Sequence, residues 1–244
     1  MSDVVDVKAG IKNILDRIAI ASQNRPKHFT KQVQLVAVSK TKPVEAIIKA
    51  YEAGQRHFGE NYVQELQEKA NSPLILEKCK DINWHFIGHL QGNKVNKIVK
   101  FPRLYMIETI DSVKLAESVN SAWQKHRLEN DGKLKILIQV NTSGEENKSG
   151  IKPEELTELY QHMTEKCTAL EVDGLMTIGE FGYDYLKGPN PDFVCLMECA
   201  ARLPNTEKLE LSFGMSDDFE KAIEMGSTIV RVGSSIFGFR PKKE

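Results

Sequence analysis

Cysteine is scarce in this chain: Cys79, Cys167, Cys195 and Cys199 are all that 244 residues contain. Four thiols cannot staple a fold of this size. Cys195 and Cys199 would share a helix face, but no histidine stands near them in sequence to complete a zinc set. Charge imbalance is also missing. Thirty-three basic and 34 acidic side chains leave a formal charge of −1, so no overall field draws nucleic acid or acidic membrane. The short basic run Pro241-Lys242-Lys243 reads as a solvated tail. No apolar run approaches the roughly 20 residues of a membrane span. The N-terminus is acidic and mixed, unlike a signal peptide. Linkers rich in Gly and Ser, low-complexity stretches and recognisable repeats are absent as well. The expectation is a reduced, cytoplasmic chain forming one domain over residues 1–244, with no nucleic-acid or membrane partner.

What is present is ordinary globular composition, 41% hydrophobic and 27% charged, arranged in a regular beat. Val4, Val7, Ile11, Ile14, Leu15, Ile18 and Ile20 approximate a helical stripe, which predicts an amphipathic helix over residues 4–22. Apolar segments with strand character follow near Gln34–Ser39, His57–Gly59, Trp84–Ile87, Leu104–Ile107, Lys135–Val140, Glu171–Met176, Leu209–Leu211 and Ile229–Val232. Helical stretches lie between them, over Val44–Ala53, Tyr62–Asn71, Asn93–Val99, Ser112–His126, Pro153–Cys167, Asp192–Leu203 and Asp217–Met225. Asp217-x-x-Glu220 has the form of a capping box, and Pro153 with Glu154 and Glu155 suits a first turn. Eight alternations of strand and helix imply parallel pairing and suit an α/β fold of the (β/α)8 TIM-barrel type. An open doubly wound sheet is the competing architecture.

The first strand, LVAVSK, ends on a lysine. Alternation places Val36, Val38 and Lys40 on one face. If that face lines the barrel, Lys40 projects into its mouth, where the C-terminal strand ends carry chemistry. Loss of hydration there favours a neutral, nucleophilic amine suited to condensing with an aldehyde. A lysine snorkelling into solvent is the bland reading. Lys42, in the loop before Pro43, is the weaker competitor. The last strand brings a second charge inward, since Ile229, Arg231 and Gly233 share a face. A buried guanidinium needs a partner, and Glu210 or another carboxylate is expected. Gly233-Ser234-Ser235 after that strand, and Ser212, Gly214 and Ser216 after the seventh, are small polar turns where barrels often hold phosphate. An aldehyde and a phosphate on one ligand describe pyridoxal phosphate.

AVSKTKP, FGENYVQE, WHFIGHLQGNK, GLMTIG and LSFGMSDDFEKAIEMGSTIVRVGSSIFGFR together resemble the pyridoxal-phosphate homeostasis protein family, whose barrel is shared with the N-terminal domain of alanine racemase. The likeness extends from about Leu35 to Arg240. One departure is Phe213, where the family pattern has methionine; a local repacking that alters the pocket wall is expected. The resemblance implies that Lys40 is the Schiff-base lysine and that Arg231 faces the pyridine nitrogen. Ser212, Gly233 and Ser234 would hold the phosphate, with Met215 and Ser216 nearby. Asn61 and His85 would line the cofactor's open side. From the residues alone, Asn61 serves equally as a helix N-cap and His85 as a satisfied core histidine.

A Schiff-base cofactor usually accompanies an amino-acid enzyme, so a racemase or other pyridoxal-phosphate enzyme is the rival to a carrier. Racemisation needs acid/base groups on both faces of the adduct. Related racemases take one from an added domain of a partner subunit, and the expectation here is a chain without that domain. Tyr62 or His85 would have to substitute. A lysine aldolase acting without cofactor would need an acid/base pair that no motif here provides. The family resemblance implies a protein that holds pyridoxal phosphate on Lys40, buffers it inside the cell, and hands it to apo-enzymes that depend on it. The expectation is a monomer.

Overall fold

The computed structural model describes residues 5–128 and 132–239. Val4 of the expected opening stripe, Arg240 and the basic tail at 241–243 lie outside the described residues. Eight strands close in sequence order into a parallel barrel. They are β1 (Gln34–Val38), β2 (His57–Glu60), β3 (Asn83–Phe86), β4 (Leu104–Ile110), β5 (Leu134–Gln139), β6 (Leu170–Met176), β7 (Glu210–Ser212) and β8 (Ile229–Val232). The ring shuts where β1 pairs with β8, Val36 opposite Arg231.

The helices are α1 (Val7–Gln23), α2 (Val44–Glu52), α3 (Val63–Ala70), α4 (Pro73–Lys78), α5 (Val95–Ile98), α6 (Val113–His126), α7 (Leu156–Lys166), α8 (Pro191–Ala201), α9 (Phe219–Glu224) and α10 (Ser234–Phe237). The turns Gly92–Lys94 and Pro153–Glu155 are 3-10 helical and lead into α5 and α7. In the second, the Lys152 amide donates to Glu155 Oε2 at 2.9 Å, so the acidic first turn ties down the start of α7.

α1 starts at Asp6, whose carboxylate accepts the Ala9 amide, and buries Val7, Ile11, Ile14, Ile18 and Ala21. Leu15 and Ile20 fall off that stripe and face solvent. The buried face packs on α9, α10 and α2. α10 has only four residues, so α1 fills the place beside β8 that an eighth barrel helix would take. Arg17 anchors it, donating to Glu220 at 2.7 Å and lying over the Phe219 ring. That contact corrects the expected capping box: Glu220 is engaged by Arg17. Asp218 is the residue that precedes α9, and its Oδ1 accepts the Met215 amide at 2.6 Å.

Most apolar burial lies between sheet and helices, where Phe58, Trp84, Phe86, Phe193, Phe213 and Phe219 are fully covered. Phe213 belongs to this layer, 4.7 Å from the Phe193 ring, so the exchange expected to alter the pocket wall lies outside it. Within the barrel, Val36, Met106, Leu137, Met176 and Ile229 form a second, small apolar cluster. His57, His85, Glu108, Ser212 and Arg231 bring polar groups into the barrel beside it.

Candidate functional site

At the C-terminal ends of the strands lies a cavity of about 560 Å³, within the size range of small-molecule sites. Val38 and Met176 form part of its wall from the ends of β1 and β6, with Ile87 just beyond β3. Lys40, Asn61, Met215, Ser216, Arg231, Gly233 and Ser234, all singled out from sequence, line the same space. Alternation explains the first and last strands. Val36 and Ile229 sit in the inner cluster, and Val38, Lys40 and Arg231 continue those faces upward to the mouth.

The turn bearing Lys40 is held from beneath. Lys69 of α3 is 5% exposed. Its ammonium donates to the Ser39 carbonyl, Glu60 Oε1 and Glu65 Oε1, each at 2.7 Å. Ser39 Oγ donates to the same Glu60 oxygen at 2.6 Å, and the Thr41 amide to Glu65 at 2.5 Å. Thr41 itself adopts φ +63°, a conformation unfavourable for a β-branched residue and sustained only where its surroundings fix it. Burial raises the Glu60 carboxyl above its ordinary value, against the pull of Lys69 and Ser39. Lys42 also borders the cavity, with its ammonium donating to the Gly238 carbonyl at 2.9 Å.

Asn61 does not cap α3, which begins after Tyr62 with no side-chain cap. Its Oδ1 is buried and has no hydrogen-bond partner among the described residues. The chain packs against it so closely that a Cβ on Gly88 would lie 2.0 Å from the Asn61 carbonyl oxygen. Across the cavity, Gly214 turns at φ +93° and a side chain there would strike Ala222. That turn leads to Ser216, whose Oγ accepts the Gly233 amide at 3.3 Å and joins the two polar loops.

Arg231 is almost fully buried. Nη1 donates to Ser212 Oγ at 2.6 Å and Nη2 to the Thr177 carbonyl at 2.8 Å. Ser212 in turn donates to Glu108 Oε2 at 2.6 Å. The expected partner Glu210 is engaged elsewhere, with Lys31 at 2.6 Å and with Thr228. Two residues expected at the cavity therefore lie beneath it. Ser212 is buried with its hydroxyl used on both sides. His85 is buried in β3, its Nδ1 2.7 Å from Glu108 Oε1 and its Nε2 2.8 Å from His57 Nδ1. Ile87, two residues on along the same face, reaches the wall in its place.

The remaining lining comes from Ile178, Phe181, Gly238 and Phe239, which no motif marks as site residues, and from Asp217, expected only in a capping box. Ile178 continues GLMTIG beyond β6 and was findable by the same alternation. Phe181 and Phe239 stand 78% and 88% exposed on loops at the rim, and no local pattern marks them.

Residues 15–241 match the family model for the alanine racemase N-terminal domain. The pyridoxal phosphate homeostasis protein of Bos taurus is 51% identical over 98% of this chain and 89% of its own length. The structure of PipY from Synechococcus elongatus with pyridoxal phosphate bound superposes with a TM-score of 0.70 at 33% identity, covering 91% of this chain and 99% of that one. Alanine racemase from Bartonella henselae shares the fold, with a TM-score of 0.66 at 19% identity, over 98% of this chain and 62% of the racemase. The chain thus belongs to the pyridoxal phosphate homeostasis protein family, built on the barrel of the alanine racemase N-terminal domain.

Proposed function

We propose that this chain binds pyridoxal 5'-phosphate in the cavity at the strand ends, holds it as a Schiff base on Lys40, and serves intracellular homeostasis of that cofactor. The observation that carries the reading is the convergence of Lys40, Asn61, Ser216, Arg231 and Ser234 on one cavity. The residues fit the ligand chemically. An amine, a donor-only guanidinium and hydroxyl-bearing turns suit an aldehyde, an acceptor ring nitrogen and a phosphate. Asn61 brings a buried acceptor with no partner among the described residues. When bound, the cofactor supplies an aldehyde that condenses with amines and an electron-poor pyridine ring.

The chain's own groups divide the work. Lys40 offers its amine from a turn that Lys69, Glu60 and Glu65 fix. Arg231, steered by Ser212 and the Thr177 carbonyl, only donates hydrogen bonds and so opposes protonation of a ring nitrogen facing it. Gly233 and Ser234, with Ser216, present the small polar surface suited to the phosphate. The placement of His85 beneath the cavity and of Tyr62 outside its lining supports holding over racemisation, because a second base would have to come from one of these side chains. Buffering and delivery to apo-enzymes then follow as the use of reversible binding.

Borohydride reduction after incubation with excess pyridoxal phosphate, followed by peptide mapping, tests the reading. A phosphopyridoxyl group on Lys40, lost in Lys40→Ala, is the expected result; an unmodified Lys40 overturns it. Delivery is tested separately. The loaded protein should restore an apo-enzyme at a rate that free cofactor, at the concentration released into buffer, does not reach.

A further inference from the structure

The interior of a (β/α)8 barrel is ordinarily filled by layers of branched apolar side chains. Here a continuous run of polar groups crosses it. His57 on β2, His85 on β3, Glu108 on β4, Ser212 on β7 and Arg231 on β8 are joined in that order by contacts of 2.6–2.8 Å. His85, Glu108 and Ser212 have no solvent exposure at all. The run begins near the base, where the His57 ring stands edge-on to Tyr105 and Lys135 pairs with Asp173. It ends at Arg231 in the cavity wall.

Donor balance fixes its direction at the upper end. A guanidinium can only donate, so Ser212 Oγ accepts from Arg231 and must give its own hydrogen to Glu108. Glu108 Oε1 receives a second hydrogen bond from His85. Burial would raise this carboxyl, but His85, Arg231 and Ser212 outweigh it and hold Glu108 below the ordinary carboxylate range. The charged groups facing Arg231 are Glu108 and Asp218, and both oppose the loss of its proton that burial favours.

Buried ion pairs often add no more stability than apolar packing of equal volume. The upper end of this run, by contrast, is the floor of the cavity. We propose that Glu108 is a positioning residue for the cofactor site: acting through Ser212 and braced by His85, it fixes the guanidinium of Arg231 and supplies the negative charge that balances it. The inference rests on the reading of Lys40 and Arg231 given above, and it adds Glu108, a residue 104 positions from Ser212 in sequence. The cavity floor then presents a compensated cation. Neutralising Glu108 leaves it more positive, so a protonated group on the bound cofactor loses its proton at lower pH.

The test uses the full chain loaded with pyridoxal phosphate, following the absorbance of the bound cofactor against pH. In Glu108→Gln, Lys40 is still trapped by borohydride, and the absorbance titration moves to lower pH by about half a unit or more. Glu108→Asp recovers part of that shift. A folded Glu108→Gln whose titration coincides with that of the unsubstituted protein overturns the proposal. If Glu108→Gln fails to fold, Ser212→Ala decides, because it cuts the link to Arg231 while keeping the Glu108–His85 contact. Because that variant keeps the Glu108 charge, its readout is the hold on Arg231: a several-fold faster loss of bound pyridoxal phosphate on dilution supports the proposal, and unchanged retention ends it. Absence of any adduct on Lys40 in the unsubstituted protein is a different failure. It removes the underlying reading, and the proposal falls with it.

Discussion

Lys69 shows how much one buried ammonium can organise. It answers two carboxylates and a carbonyl beneath the turn of Lys40. Lys69→Met keeps the apolar stem but leaves Glu60, with no exposure, facing no cation. Breaking one side of a buried pair costs about 3–5 kcal/mol. The expected result is a matching fall in stability by urea denaturation, and a loss under about 1 kcal/mol would show that water already serves Glu60. At this scale the sequence was informative about direction and silent about depth. Period-two alternation put Lys40 and Arg231 on inward faces and at the mouth, because each lies at or just past its strand's end. The family resemblance put His85 and Ser212 at the cofactor, but both lie one pleat below the residues that line the cavity. Glu210 or another carboxylate was the expected partner of Arg231. The actual carboxylate, Glu108, lies on the far side of the ring, and only closure of the barrel brings it there.

Among elements, the boundaries decided what could be found. All eight strands stand where their apolar runs stand, yet β4 continues to Ile110 instead of ending at Ile107. Glu108 lies in those added residues, and a charged side chain there reads as the end of a strand until His85 and Ser212 come beside it. Short α4 and α10 escaped for a different reason: six and four residues are too few to show a helical period. α1 was legible because its stripe repeats over four turns. Ile14 is fully buried within it, while neighbouring Leu15 is 43% exposed. Ile14→Ala should therefore cost about 2–5 kcal/mol and Leu15→Ala no more than about 0.5 kcal/mol, measured by denaturant unfolding. Equal losses at the two positions would mean that α1 does not seat on α9 and α10 as described.

For the molecule as a whole, the polar interior sets an acid limit. Burial, with a smaller push from His85 and against the pull of Glu108, lowers His57 to about 3. Unfolded, the same imidazole titrates near 6.5. Between those values the unfolded chain holds a proton that the folded one excludes, so stability is greatest above about pH 6.5 and falls as pH drops toward 3. The urea midpoint of the unsubstituted protein should decline over that window more steeply than that of His57→Gln; parallel declines would show that His57 takes up its proton inside the barrel. Eight beats suited a barrel but left an open doubly wound sheet in competition, and the pairing of β1 with β8 decides for closure. What fills the place of the missing eighth helix was not legible, since α1 lies at the other end of the sequence. That arrangement has a consequence for synthesis. α1 is buried against α9 and α10, which are made long after it. Until the seventh and eighth strands are translated only α2 is there to cover its apolar stripe, which makes α1, well before any cofactor can bind, a segment in need of a chaperone's cover.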